Sequence, residues 1–208
     1  MNPLEIYDAL EKDTFPHFHR GDIILTNHLG NFFSTLIRIA GVIKGETPHR
    51  SHAEKYLTSG LCIGADKHGV TIKPFRKFFD GKYDVSVYSN TTLTKEQRDY
   101  LLKSALWWHG KYYDVVGILW QALDTIFFTD WFSRKFNSVK LPYCSELIER
   151  IYIKLPTPES PLHQGIKVSY KPLGTSIPND IYEYVEHEKD WECVFKMEKV
   201  AGNWRVEQ

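Results

Sequence analysis

Leu141-Pro142-Tyr143-Cys144-Ser145-Glu146-Leu147-Ile148 is the stretch that decides the fold, because an extended segment there passes into a helix with a cysteine at the turn. Beyond Cys144 the apolar residues Leu147, Ile148, Ile151 and Leu155 fall at helical spacing, and Pro142 keeps the helix from running backwards. Cys144 is therefore expected in the first turn, where unpaired backbone N–H groups and the positive end of the helix dipole favour a thiolate. That makes it a candidate nucleophile. It also lies on the apolar face set by Leu147, Ile148 and Ile151, and on this stretch alone an inert core cysteine is the commoner outcome. Glu146, two residues on, would raise the thiol pKa if it pointed the same way, although acidic residues in a first turn are also ordinary dipole partners.

The surrounding composition narrows the class. Lys and Arg number 26, as do Asp and Glu, in 208 residues, so the charge is balanced and gives no general reason to expect nucleic acid as a partner. That length suits one domain, residues 1–208, with a core of useful size. An aromatic content of 14% argues against disorder and suits either a packed core or a cleft lined with rings. Cys62, Cys144 and Cys193 leave at least one thiol unpaired and show no zinc-knuckle or redox spacing, which fits a reducing compartment or a functional thiol. Residues 1–14 carry Glu5, Asp8, Glu11, Lys12 and Asp13 and do not read as a secretory signal, and no apolar run is long enough for a transmembrane helix. An intracellular location is expected.

Working outward from the cysteine, the expected elements are mixed. Strands are predicted at 23–26, 51–57, 61–65, 70–73, 83–88 and 191–200, the middle pair forming a hairpin about Asp66-Lys67-His68-Gly69. Residues 51–57 lack clean alternation of apolar and polar side chains. Helices are predicted at 3–12, 31–43, from a Thr94 cap to about His109, at 114–127, from Cys144 to Leu155, and at 179–186, with a helical turn at 74–79. Pro156, Pro158 and Pro161 mark an extended loop. Strands in the first half and helices in the second, with a strand last, predict an α+β fold rather than a doubly wound one.

A cysteine nucleophile needs a base, and nine histidines compete for that part. His52 begins a predicted strand, and Glu54 two residues later projects from the same face. A carboxylate beside an imidazole fixes its tautomer and stabilises the imidazolium, as the third member of thiol and serine hydrolase sites does. The pair alone is more often an ordinary polar contact. His17 and His19, with His28, His49 and His52 following, raise a metal site as a possibility, but no acidic residue joins them at a known ligand spacing. No metal and no other cofactor is expected.

In order along the chain, Gly21-Asp22-Ile23-Ile24, Ser51-His52-Ala53-Glu54, Gly69-Val70, Tyr113-Asp114, Tyr143-Cys144-Ser145-Glu146-Leu147 and Pro178-Asn179-Asp180-Ile181 resemble the circularly permuted papain-like hydrolases. These are the permuted branch of the NlpC-type cell-wall amidases, related to the YiiX-like proteins and the lecithin-retinol acyltransferases. In that group the histidine strand precedes the cysteine helix, as His52 precedes Cys144 here. The resemblance implies an antiparallel sheet or partial barrel packed on helices, with the nucleophile at a helix N-terminus. It implies Cys144 as nucleophile and His52 as general base. Many members carry a glutamate on the strand after the histidine strand, where this chain has Ile63-Gly64-Ala65; Glu54 or Asp66 can substitute, and some phage-borne relatives look to share the His-x-Glu of residues 52–54, which favours Glu54.

What the resemblance implies chemically is acyl transfer through a thioester, with the Cys144 N–H as oxyanion donor and Asp22 or Tyr143 as candidate neighbours of the substrate or oxyanion. Ordinary packing is an equal reading for Tyr143. The substrate implied is an amide bond in a cell-wall or related peptide, and a cytoplasmic or phage-encoded intracellular protein is the expected setting. Lipid ester hydrolysis or acyl transfer is the alternative, and an inactive binding or scaffold protein of the same fold is a third reading. Lys73, Arg76 and Lys77 among Phe75, Phe78 and Phe79 offer a membrane-facing patch, though a solvated turn reads as well.

Overall fold

The computed structural model describes residues 18–28, 50–66, 68–112, 143–153, 166–170, 176–200 and 203–207. The helices expected over 3–12, 31–43 and 114–127, the proline-rich loop at 156–161, and the residues His17, His49, Tyr113 and Asp114 lie outside the described residues.

Ile23-Ile24-Leu25 is an unbroken apolar run, the pattern of a strand covered on both faces. It becomes the centre of the sheet. Seven strands, β1 (Ile23–His28), β2 (His52–Thr58), β3 (Leu61–Asp66), β4 (Gly69–Pro74), β5 (Tyr83–Asn90), β6 (Trp191–Val200) and β7 (Asn203–Glu207), pair antiparallel in the order β4-β3-β2-β1-β5-β6-β7. β1 is held by β2 on one side and by β5 on the other, with Thr26 opposite His52 and Ile23 opposite Tyr88. Three helices are described: α1 (Lys95–Trp108), α2 (Cys144–Tyr152) and α3 (Pro178–His187). The fold is thus α+β with an antiparallel sheet, and among the described residues the order runs from β4 to β7 as an open sheet.

The sheet separates two cores. On one side Ile23, Leu25, Ala53, Leu57 and Ile63 meet Leu101 and Ala105 of α1, Leu147, Ile148 and Ile151 of α2, and Ile181 of α3. The three-four spacing of the cysteine helix therefore faces the sheet, and each such side chain contributes roughly 1.5–3 kcal/mol of burial. On the other side Ile24, Tyr56, Val85, Val87 and Phe195 pack beneath Phe75 and Phe78, which a 3-10 turn at Phe75–Phe79 lays across the sheet. Coverage on both faces explains why residues 51–57 do not alternate: the interior of β2 is buried on either side.

Local signals set the boundaries of α1. The Thr94 hydroxyl accepts from the Gln97 N–H at 3.3 Å while the Gln97 side chain accepts from the Thr94 N–H at 2.9 Å, a reciprocal cap. Gly110, at φ +79°, follows its end. One element escaped the sequence reading. β7 pairs back on β6, with Val206 opposite Met197, where 191–200 was expected to close the domain. The dipeptide Ala201-Gly202 between two short apolar runs was the available hairpin signal.

Candidate active site

The N-terminus of α2 meets the start of β2. Tyr143 is extended, at φ −91° and ψ 179°, and the chain turns helical at Cys144. The backbone N–H groups of Ala53 on β2 and Ser145 on α2 and the His52 ring all lie close enough to the Cys144 sulfur to favour its thiolate. Because residues two apart on a strand share a face, Glu54 returns to the same imidazole: its Oε1 is 3.0 Å from His52 Nε2. The imidazole thus bonds both the thiol and the carboxylate. Cys144 is only 2% exposed, whereas the His52 side chain is 23% exposed, so the site opens to solvent on the imidazole side.

Arg50, just ahead of β2, anchors the approach to His52. It is buried, bonds the Ser86 hydroxyl, reaches Glu198 at 2.9 Å and lies 5.0 Å over the Tyr182 ring. Glu146 is buried at the start of α2. It pairs with Arg150 one helical turn on, Nε to Oε1 at 2.9 Å, and the largest influences on the Cys144 thiol come from burial and His52 instead.

Glu54 is the most densely contacted group of the site. Besides His52, its Oε1 receives Lys73 Nζ at 2.7 Å and Lys77 Nζ at 3.1 Å, and its Oε2 receives the Cys62 thiol at 3.0 Å. Its side chain lies across Gly64, its register partner on β3; a Cβ there would stand 2.6 Å from Glu54 Cγ. Gly64 lies within the Ile63-Gly64-Ala65 stretch of β3, and its lack of a side chain leaves the space that the Glu54 carboxylate fills from β2. A glycine inside a strand is a sequence signal of close approach.

These contacts set the protonation states. Burial raises the Cys144 thiol, but the His52 imidazole and the Ala53 and Ser145 N–H groups outweigh it and bring the thiol below its ordinary value. Burial also lowers His52, yet the Cys144 thiolate and Glu54 overcome this and push it up to about 9. For Glu54 burial is again the largest influence and is again overcome: His52, Lys73 and Lys77 hold the carboxyl well below the usual range. Each shift runs in the direction that favours transfer of the thiol proton to the imidazole, with an ionised carboxylate on the far side of the ring. Cys62 is the opposite case, since burial and the neighbouring Glu54 push it well above an ordinary thiol and keep it a donor.

The other expected site residues fall elsewhere. Asp66 bonds Lys73 Nζ at 2.9 Å and the His68 N–H at 2.9 Å, so it reaches His52 only through Lys73 and Glu54. Asp22 is not at the site. It is fully buried at the opposite end of β2, where its carbonyl accepts from the Tyr56 N–H. Four strand residues separate it from His52, about 13 Å. Its carboxylate takes Arg98 NH1 at 3.2 Å and the His19 N–H at 2.7 Å, beside the buried Lys55. The Tyr143 ring is packed inside at 2% exposure. Lys73 and Lys77, grouped in the sequence with a membrane-facing patch, point inward to Glu54, and Phe75 and Phe78 belong to the core. Among the described residues no group of three or more His, Cys, Asp or Glu is placed to hold a metal ion, and no helix is long and apolar enough to cross a membrane.

No family model matches the sequence, and no curated protein matches it. A solved structure does. The crystal structure of the metalloprotein YiiX from Escherichia coli O157:H7 (DUF1105) is similar over 86% of this chain and 97% of that one, with a TM-score of 0.54 and 19% identity. The two chains share a fold.

Proposed function

We propose that this protein is a thiol-dependent hydrolase of the permuted papain-like type, with Cys144 as nucleophile, His52 as general base and acid, and Glu54 orienting His52. The observation that carries this reading is the His52 imidazole bonded both to the Cys144 thiol and to the Glu54 carboxylate. His52 takes the thiol proton, and the thiolate attacks an acyl carbon. The carbonyl electron pair moves onto oxygen beside the Cys144 N–H at the helix start, then returns as the bond to the leaving group breaks. The imidazolium gives its proton to that leaving group, leaving a thioester. Water, deprotonated by His52, then releases the acid and restores the thiol.

The substrate we assign is an amide bond of a cell-wall or related peptide, on the strength of the sequence resemblance. A metal-dependent reaction, which the neighbour's name invites, does not fit this site. Glu54 Oε1, the oxygen on His52, is already in contact with two ammonium groups that would repel a metal ion.

The test is alkylation of Cys144 by iodoacetamide or an epoxysuccinyl probe at about pH 6, where an ordinary thiol is almost entirely protonated. Peptide mapping should place the label on Cys144, and His52→Ala should slow the reaction at least tenfold while Cys193→Ser leaves it unchanged. Ordinary thiol reactivity, indifferent to His52, would sink the proposal and leave a binding protein. Turnover of peptide amides against carboxylic esters by the wild type then decides between peptide and lipid substrates.

A further inference from the structure

A buried carboxylate beside a catalytic histidine faces a problem that Lys73 and Lys77 are placed to solve. Glu54 has no exposure at all, and its only counter-charge on β2 is the His52 imidazolium. That charge is temporary, because His52 must give its proton to a leaving group. At that moment an isolated Glu54 would be an uncompensated buried anion, which either takes up a proton itself or holds the one on His52 too tightly. The structure provides two further cations. Lys73 Nζ lies 2.7 Å from Glu54 Oε1 and 2.9 Å from Asp66 Oδ2, and Lys77 Nζ lies 3.1 Å from Glu54 Oε1. Their side chains are 13% and 30% exposed, so both charges are turned inward.

We infer that Lys73 and Lys77 are positioning residues of the site, clamping the Glu54 carboxylate across Gly64 and cancelling the charge that Glu54 and Asp66 would otherwise impose on His52 and Cys144. The inference rests on the cysteine–histidine reading above. In the ion-pair state of the proposed mechanism, with Cys144 a thiolate and His52 an imidazolium, the charges of Cys144, Glu54 and Asp66 are balanced by those of His52, Lys73 and Lys77. Two further groups that face the cluster stay uncharged at neutral pH. Cys62 on β3 stays a thiol, and Tyr83 on β5 stays a phenol, its pKa raised by burial and by the acids Asp80 and Glu54. His28 on β1 stands edge-on to Tyr83 at 4.6 Å, and Asp80 and Lys82 pair with each other at 3.5 Å at the rim.

Removing one lysine leaves the cluster one negative charge in excess. That charge holds the proton on His52 and opposes thiolate formation at Cys144, so both titrations move up in pH. The experiment follows the His52 ring by NMR across a pH titration, in the wild type and in Lys73→Met, Lys77→Met and Lys77→Arg, with Cys144 alkylation at about pH 6 measured in parallel. The expected result is a His52 midpoint raised by about one unit in each methionine variant, a tenfold change in its proton equilibrium, and alkylation slowed severalfold. Lys77→Arg should return both towards wild type. Folded methionine variants with an unmoved His52 midpoint would overturn the inference, and if Lys73→Met does not fold, the more exposed Lys77→Met decides alone. A wild type whose Cys144 is unreactive at this pH would overturn the hydrolase reading instead, while the His52 titration still judges the lysines.

Discussion

At the scale of single residues, the site depends on what is absent as much as on what is present. Gly64 contributes empty space: Glu54 crosses β3 there, and a methyl group would stand 2.6 Å from its Cγ and 2.8 Å from its Cδ. Gly64→Ala is therefore expected to push the carboxylate off His52 Nε2. Overpacking of this kind costs roughly 1–3 kcal/mol, to be read from urea unfolding. Cys144 alkylation at about pH 6 should fall around tenfold with it. A variant that loses stability but alkylates at the wild-type rate would show that Glu54 does not govern His52. Lys55 presents the contrary case. It is fully buried, with its ammonium 4.2 Å over the Tyr152 ring and 3.4 Å from the Gly21 carbonyl, and burial drives its pKa well below normal. Since Asp22 already has Arg98, Lys55→Met is expected to leave stability unchanged or raise it by about 1 kcal/mol.

At the scale of elements, α2 and α1 do different work. α2 sets the nucleophile through the packing of Leu147, Ile148 and Ile151 on the sheet, so a cavity beneath it moves the sulfur relative to His52. α1 is fixed at its start by the exposed Thr94–Gln97 cap, which touches no part of the site. Ile148→Ala should cost about 2–5 kcal/mol and slow Cys144 alkylation. Thr94→Ala should cost about 1 kcal/mol and leave that rate alone. Equal effects on the rate would mean that reactivity reports overall stability, not the docking of α2. Both helices were legible in the sequence, because spacing and capping are local. The strand β7 was not read, its five residues being short and lying beyond a run that already closed the pattern.

For the whole molecule, the acid limb of stability is the sensitive test of the buried charges. The folded pKa values of Glu54 and Asp66 lie below their unfolded values, Glu54 by far the more. Their contribution is present above the unfolded carboxylate range, about pH 4, and is lost as pH falls through the lower folded values. Asp22 is raised, chiefly by burial, and acts in the opposite sense. Urea midpoints measured from about pH 5 down to about pH 2 should therefore fall steeply in the wild type, and Glu54→Gln should flatten the slope. A slope unchanged by Glu54→Gln would mean that this carboxylate is not held ionised. By itself the sequence determined the cysteine helix, the strand at 23–26, the hairpin about residues 66–69 and the α+β class, since periodicity and turn residues are properties of neighbours along the chain. It also singled out Cys144, His52 and Glu54, which the fold brings together. Only the tertiary structure decided that Asp22 belongs to a buried pair with Arg98, that Asp66 serves Lys73, and that Lys73 and Lys77 turn inward to Glu54. The partner of a buried charge is chosen by sheet register and by which faces are covered, and neither leaves a mark within a few residues of the charge itself.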